Sequence, residues 1–275
     1  MILFQISALA ISIVYIFYWF FRDRKFEDFI VRYFTIAVAS WICEETSIRV
    51  YHFYQYSQNW IFFLGHVPIL VIVIWPLVIH SGWELASGLL QDKRTYIPLV
   101  VGCIVGIDAS LIETISVKAG LWSWNGAGPF GVPLIGIFGW AYFAFFSALA
   151  LERRKEGAGT VLKSLYVLVT CVAGTHAMIV ATWWLFFRWN FVSLNSVFLT
   201  ALAWIISMML IYSIHRRRLG IHMDKRVLMM RVPPVLFFFV LYLKSRPDGL
   251  HTSYLTAFAL PYIFLLYKLS RKRLL

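Results

Sequence analysis

The chain has 275 residues, 61% of them hydrophobic and 14% charged, where soluble domains run near half apolar and a quarter charged, so a soluble globular protein is excluded. The net charge of +12 does not mark a nucleic-acid partner either. Its Lys and Arg residues fall in short patches between apolar runs, not along one face or stripe.

Apolar runs of about 20 residues, the length that crosses about 30 Å of hydrocarbon, recur from end to end. They predict transmembrane helices near 1–21, 30–50, 61–83, 96–117, 132–151, 161–187, 194–214, 229–243 and 253–267. The expected fold is all-α, a polytopic membrane helix bundle of nine spans in one integral membrane domain, or eight if 229–243 does not cross. The first run has no basic segment before it and no small-residue cleavage site, and reads as a retained helix.

Basic patches occupy every second loop and the tail: Arg22/Arg24/Lys25/Arg32, Lys93/Arg94, Arg153/Arg154/Lys155/Lys163, Arg216/Arg217/Arg218/Lys225/Arg226/Arg231 and Lys268/Arg271/Lys272/Arg273. The positive-inside rule turns these patches to the cytoplasm, with the N-terminus outside and the C-terminus inside. Lys244 and Arg246 are the one basic pair on the other side. Cys43, Cys103 and Cys171 lie inside apolar runs without paired spacing, which predicts buried packing and neither disulfides nor a zinc knuckle.

Two segments, approximately 40–80 and 108–145, carry the same order of residues. One reads Glu45-Thr46, Tyr54-x-Tyr56, Val67-Pro68, Trp75; the other reads Glu113-Thr114, Trp122-x-Trp124, Val132-Pro133, Trp140. Acid to first aromatic is nine positions in each and Pro to Trp is seven in each, while the loop between differs by three. Fixed spacing inside elements with slack between them is what a structural duplication leaves. Both hairpins start from the same side, so the copies are expected to be parallel and to bring Glu45 and Glu113 to equivalent depth.

On this topology Glu44, Glu45, Arg49, His66, Glu113, Trp122, Trp124, Asn125 and Asn195 map to the outer half, with Asp108 and His176 nearer the middle. Ionisable groups at membrane depth cost about 2.5–3.5 kcal/mol each on insertion scales, and so face a bundle interior or a wet cavity. Glu45 and Arg49, four apart, can pair across one helical turn. Glu44 points about 100° away from Glu45, and the repeat favours Glu45 as the one that faces the cavity. Asp108 and Glu113 are about 140° apart around one helix and about 7.5 Å apart along it, placed to flank one cavity.

A carboxyl among apolar side chains favours its protonated form, the state a general acid requires, and Glu113 is the expected donor, with Asp108 or Glu45 positioning water. His66 and His176 can relay protons or bind a metal, yet the seven histidines form no HxxxH or HxxHH cluster, and no metal or other cofactor is expected. Tyr54, Tyr56, Trp122 and Trp124 fit an interfacial aromatic belt, or the wall of a cation-stabilising cavity.

Glu113 through Trp140 resembles the integral membrane carotenoid-biosynthesis family that contains bisanhydrobacterioruberin hydratase and the gamma-carotene hydratases. The likeness is carried by Glu113, Gly120, Trp122-Ser123-Trp124, Phe130-Gly131-Val132-Pro133 and Gly139-Trp140, with Glu45, Tyr54-x-Tyr56 and Pro68 upstream. Thr114 and Gly136 stand where that family usually has proline and asparagine. The resemblance implies addition of water to the terminal double bond of an acyclic carotenoid drawn from the bilayer of a bacterial or archaeal cytoplasmic membrane. It also implies contact with membrane lipids and with other enzymes of one pathway. A cyclase using the same acid, and a non-catalytic carrier or lipid-binding protein, are the alternatives that the residues leave open.

Overall fold

The structure is a computed structural model that describes residues 2–23, 26–90, 93–126, 128–154, 159–188, 195–216, 225–246 and 248–271. Of the basic patches, Arg24, Lys25, Lys155, Arg217, Arg218, Lys272 and Arg273 lie outside the described residues. The elements run α1 (Ile2–Asp23), α2 (Phe26–Arg49), β1 (Tyr54–Tyr56), β2 (Phe63–Leu64), β3 (Val67–Pro68), α3 (Ile69–Leu90), α4 (Ile97–Lys118), β4 (Trp122–Trp124) and α5 (Leu134–Arg153). They continue with α6 (Thr160–Thr182), α7 (Ser196–Arg216), α8 (Lys225–Met229), α9 (Val232–Lys244) and α10 (Gly249–Arg271). α6 runs on through a π-helical turn at Trp183–Phe187.

Among the described residues, eight helical stretches are long and apolar enough to cross a membrane, α8 and α9 together forming one of them. α2 is equally long, 24 residues, and carries charged residues at both ends. The chain is an all-α polytopic membrane helix bundle. α3 begins at Ile69, eight residues after the expected start of its span. The short hairpin of β2 and β3 precedes the helix instead, because Gly65 at φ +65° turns β2 back onto β3 and Pro68 has no N–H to continue a helix backwards.

At the centre α4 packs between α3 and α5, α6 covers α2 and α5, and α7 with α10 flanks α4. Without water to drive them together, membrane helices associate through close packing at small residues. A Cβ on Gly102 would stand 3.1 Å from the Ala141 carbonyl oxygen, and one on Gly82 would stand 3.2 Å from Val105. Those two contacts set the α4–α5 and α3–α4 approach. The three cysteines are free; Cys43 and Cys171 are buried, whereas Cys103, expected to be buried too, is exposed.

The two hairpins α2–α3 and α4–α5 meet through their strands. β1 pairs antiparallel with β4 in the register Tyr54 with Trp124, Gln55 with Ser123 and Tyr56 with Trp122. An antiparallel pair centred on Gln55 and Ser123 has a local two-fold axis, which relates one hairpin to the other.

Candidate functional site

The ribbon β1–β4 lies across one end of the bundle and aims aromatic side chains at two buried carboxylates. Glu113 Oε2 accepts N–H bonds from Trp122 (2.8 Å) and Trp124 (3.1 Å), and its Oε1 accepts one from Trp140 (2.7 Å). Glu44 repeats the pattern: Oε2 accepts from the Tyr54 and Tyr56 hydroxyls, the latter at 2.9 Å, and Oε1 accepts from Trp75 Nε1 at 2.8 Å. Each acid thus takes two donors from its own strand and one from the seventh residue of the helix that follows.

The rings meet in tilted and edge-to-face pairs across the two-fold. Trp75 and Trp140 have centroids 4.4 Å apart, Tyr54 and Trp124 4.7 Å, and Tyr56 and Trp122 5.7 Å. Trp122 and Trp124 are therefore hydrogen-bond donors to Glu113. Indole N–H groups only donate, so all three partners of Glu113 address its acceptor lone pairs. A proton carried by Glu113 has no acceptor among them and is left for whatever occupies the cavity.

The expectation that Glu45 is the mate of Glu113 is corrected by one residue. The linker from α2 to β1 has four residues, with His52 at φ 53°, whereas that from α4 to β4 has three, with Gly120 at φ 72°. The extra residue moves the equivalent acid one place up the helix, to Glu44. Glu45 points instead to the periphery, where its carboxylate accepts from the His66 backbone N–H (2.8 Å), lies 2.9 Å from His66 Nδ1, and meets Arg49 at 3.8 Å.

Asn125 ties β4 to the first hairpin by donating to the His52 carbonyl at 2.8 Å, and His176 Nδ1 lies 3.1 Å from the Tyr51 hydroxyl. His66, His176, Arg49, Glu45 and Asn125 are not brought to the carboxylate pair. Asp108, five residues before Glu113 on α4, is held by other partners, with Oδ2 2.6 Å from Arg231 and Oδ1 accepting from the Tyr262 hydroxyl at 2.7 Å. The sequence reading did not single out Trp75, although its place in the repeat marked it. It also set Arg231 in a basic patch turned to the cytoplasm, whereas the structure places it on the cavity wall against Asp108, 123 positions away.

Both acids and Asp108 line one cavity of about 570 Å³, within the range of about 300–1,000 Å³ usual for small-molecule sites. Its walls are mainly aliphatic and aromatic and run along α1 from Phe4 to Tyr15 and along α9 from Arg231 to Tyr242, each about 16 Å of helix. Val235 and Phe239, on the α9 wall, are also exposed on the perimeter of the bundle, so the cavity reaches the lipid-facing side beside α1. Among the described residues no three His, Cys, Asp or Glu side chains are grouped to hold a metal.

Two consequences are measurable. Burial, then the charge of Glu44, pushes the Tyr54 and Tyr56 hydroxyls well above their ordinary value of 10.0. Their pKa is raised in the folded state, so their contribution to stability is complete below pH 10 and is lost as pH rises above it. Thermal unfolding followed from pH 9 upward is expected to show a falling midpoint that Tyr54→Phe and Tyr56→Phe flatten. At Gly136 a Cβ would lie 2.5 Å from Trp124 Cζ2, and that ring is already packed against Tyr54. Gly136→Ala is therefore expected to destabilise by about 1–3 kcal/mol, as overpacking does, and to shift tryptophan fluorescence as Trp124 leaves Glu113.

Comparison of the chain with protein-family models, with curated proteins and with solved structures finds no match in any of the three.

Proposed function

We propose that this chain is a membrane enzyme that protonates a terminal double bond of an isoprenoid or carotenoid lipid, with hydration as the outcome. One observation carries the reading: two buried carboxylates, Glu44 and Glu113, share one apolar cavity beside the lipid and are each fixed by three aromatic donors. The resemblance of Glu113–Trp140 to the carotenoid hydratases supports the same chemistry.

In the proposed step the π electrons of the alkene form a C–H bond with the proton of Glu113, leaving a tertiary carbocation and a carboxylate. Indole and phenol rings offer the cation their negative faces, and the two carboxylates offset its charge. Glu44 accepts a proton from water as the water oxygen bonds to the cation, and transfer of that proton back to Glu113 resets the site. The balance is one water added per double bond. If the cavity excludes water, an internal double bond captures the cation and the product is a ring.

A carrier is the second reading, favoured by one feature. The span formed by α8 and α9 is interrupted at Met230–Arg231, where Pro233 and Pro234 follow, and interrupted helices mark transport sites. In either case the distribution of Lys and Arg supports an orientation with the ribbon end and the N-terminus outside the membrane and the C-terminus inside.

Expression in a carotenoid-producing host, with extracted pigments and isoprenoid lipids weighed by mass spectrometry, tests the proposal. A product heavier by one water, absent with Glu113→Gln, supports hydration. Unchanged mass with altered retention indicates cyclisation. No new product from any isoprenoid pool removes the enzymatic reading.

A further inference from the structure

The cavity has a second polar place, away from the carboxylate pair. Asp108 stands midway along α4, and Arg231 reaches it at 2.6 Å from the break between α8 and α9. Both side chains are about 15% exposed and both line the cavity. Arg231 also donates to Ser81 Oγ at 3.0 Å and lies with Cζ 5.2 Å from the Tyr262 ring centroid. The break belongs to the same feature: Pro233 and Pro234 have no N–H to return to the carbonyls of Met229 and Met230, four residues back. Broken backbone at membrane depth is tolerated where it lines a cavity, and Met230, Arg231 and Pro234 line this one.

We propose that Arg231 and Asp108 form a hydroxyl-binding subsite, which takes the alcohol group of a polyene or isoprenoid ligand whose apolar body fills the cavity. Hydrogen bonds to Ser81 and Asp108 occupy two of the five guanidinium N–H groups, which leaves donors for an incoming oxygen. Asp108 accepts one bond at each oxygen, from Tyr262 and Arg231, and a carboxylate has about four lone-pair sites, so it can also accept the ligand's O–H. A donor and an acceptor side by side complement a hydroxyl, which is both. Asp108 already neutralises Arg231, so the site has no net charge with which to draw a phosphate.

The subsite rests on the cavity being a lipid-ligand site, as in the proposed function, but not on any reaction at Glu113. Its test is therefore a binding measurement without turnover. The full chain in lipid nanodiscs is titrated with all-trans-retinol, or with the same polyene carrying hydrogen in place of the hydroxyl, and quenching of tryptophan fluorescence is followed. A hydroxyl bonded to charged groups is expected to tighten binding by about tenfold or more, so retinol should bind that much better than the hydrocarbon.

In the double variant Asp108→Leu/Arg231→Met, which removes the pair without stranding a charge, the ratio of the two dissociation constants should fall to about one. With Glu113→Gln the ratio should persist. Equal binding of the two ligands by the native chain, binding of neither, or a tenfold preference retained in the double variant would each overturn the subsite. A preference abolished by Glu113→Gln alone would do the same, by moving the hydroxyl to the carboxylate pair.

Discussion

With Glu113 replaced by glutamine, product formation is expected to fall by about 100- to 10,000-fold, the usual contribution of a positioned general acid. The substitution keeps the size of the side chain and removes the transferable proton. It also turns one acceptor oxygen into an NH2 group that faces indole donors, since Trp122, Trp124 and Trp140 all point N–H at this carboxylate. That conflict is expected to lower stability by about 1–3 kcal/mol, the cost of a buried donor left unmatched. Adding Trp140→Phe removes the opposing donor. The pair Glu113→Gln/Trp140→Phe should therefore regain thermal stability while remaining inactive. If activity returned along with stability, the loss in the single variant would be one of folding, and Glu113 would not be the proton donor. Glu44→Gln is expected to be impaired to a lesser extent, because it removes the base that accepts from water but leaves protonation possible.

The second large effect is on stability. Arg231→Met leaves Asp108 buried with only Tyr262 as partner, and removal of one member of a buried ion pair costs about 3–5 kcal/mol. Replacing both members with apolar residues of similar volume is commonly neutral or stabilising, so Asp108→Leu/Arg231→Met should melt close to the native chain. Thermal unfolding in one mild detergent, with the single and double variants side by side, reads both values. A single variant as stable as the native chain would show that the pair is hydrated and screened.

Hydropathy alone was enough for the helices, because a bilayer leaves a spanning segment few choices: each must satisfy its backbone internally and present apolar side chains over about 30 Å. The repeat was legible for a related reason. Pro68 to Trp75 and Pro133 to Trp140 are the same distance because each proline stands just before a helix whose seventh residue turns inward. The break in the eighth span was not anticipated, although Arg231-Val232-Pro233-Pro234 carries it, since consecutive prolines cannot return hydrogen bonds.

What the amino-acid order left undecided is which neighbours face inward. Glu44 and Glu45 differ by about 100° of helical rotation, and a single extra linker residue before β1 makes Glu44 the partner of the strand aromatics although Glu45 has the matching count. Spacing measures residues, whereas the site is set by where the β1–β4 register places Tyr54, Tyr56, Trp122 and Trp124. The same holds for Asp108. Its partners Arg231 and Tyr262 come from helices 123 and 154 positions away, and contacts of that range are fixed by packing of whole helices, not by any local pattern. A membrane bundle with a repeated acid-aromatic hairpin follows from hydropathy and fixed spacing, which are local properties of the chain. That Glu44 and Glu113 form the pair, and that Asp108 and Arg231 make a second polar centre on the same cavity, depends on how whole helices pack.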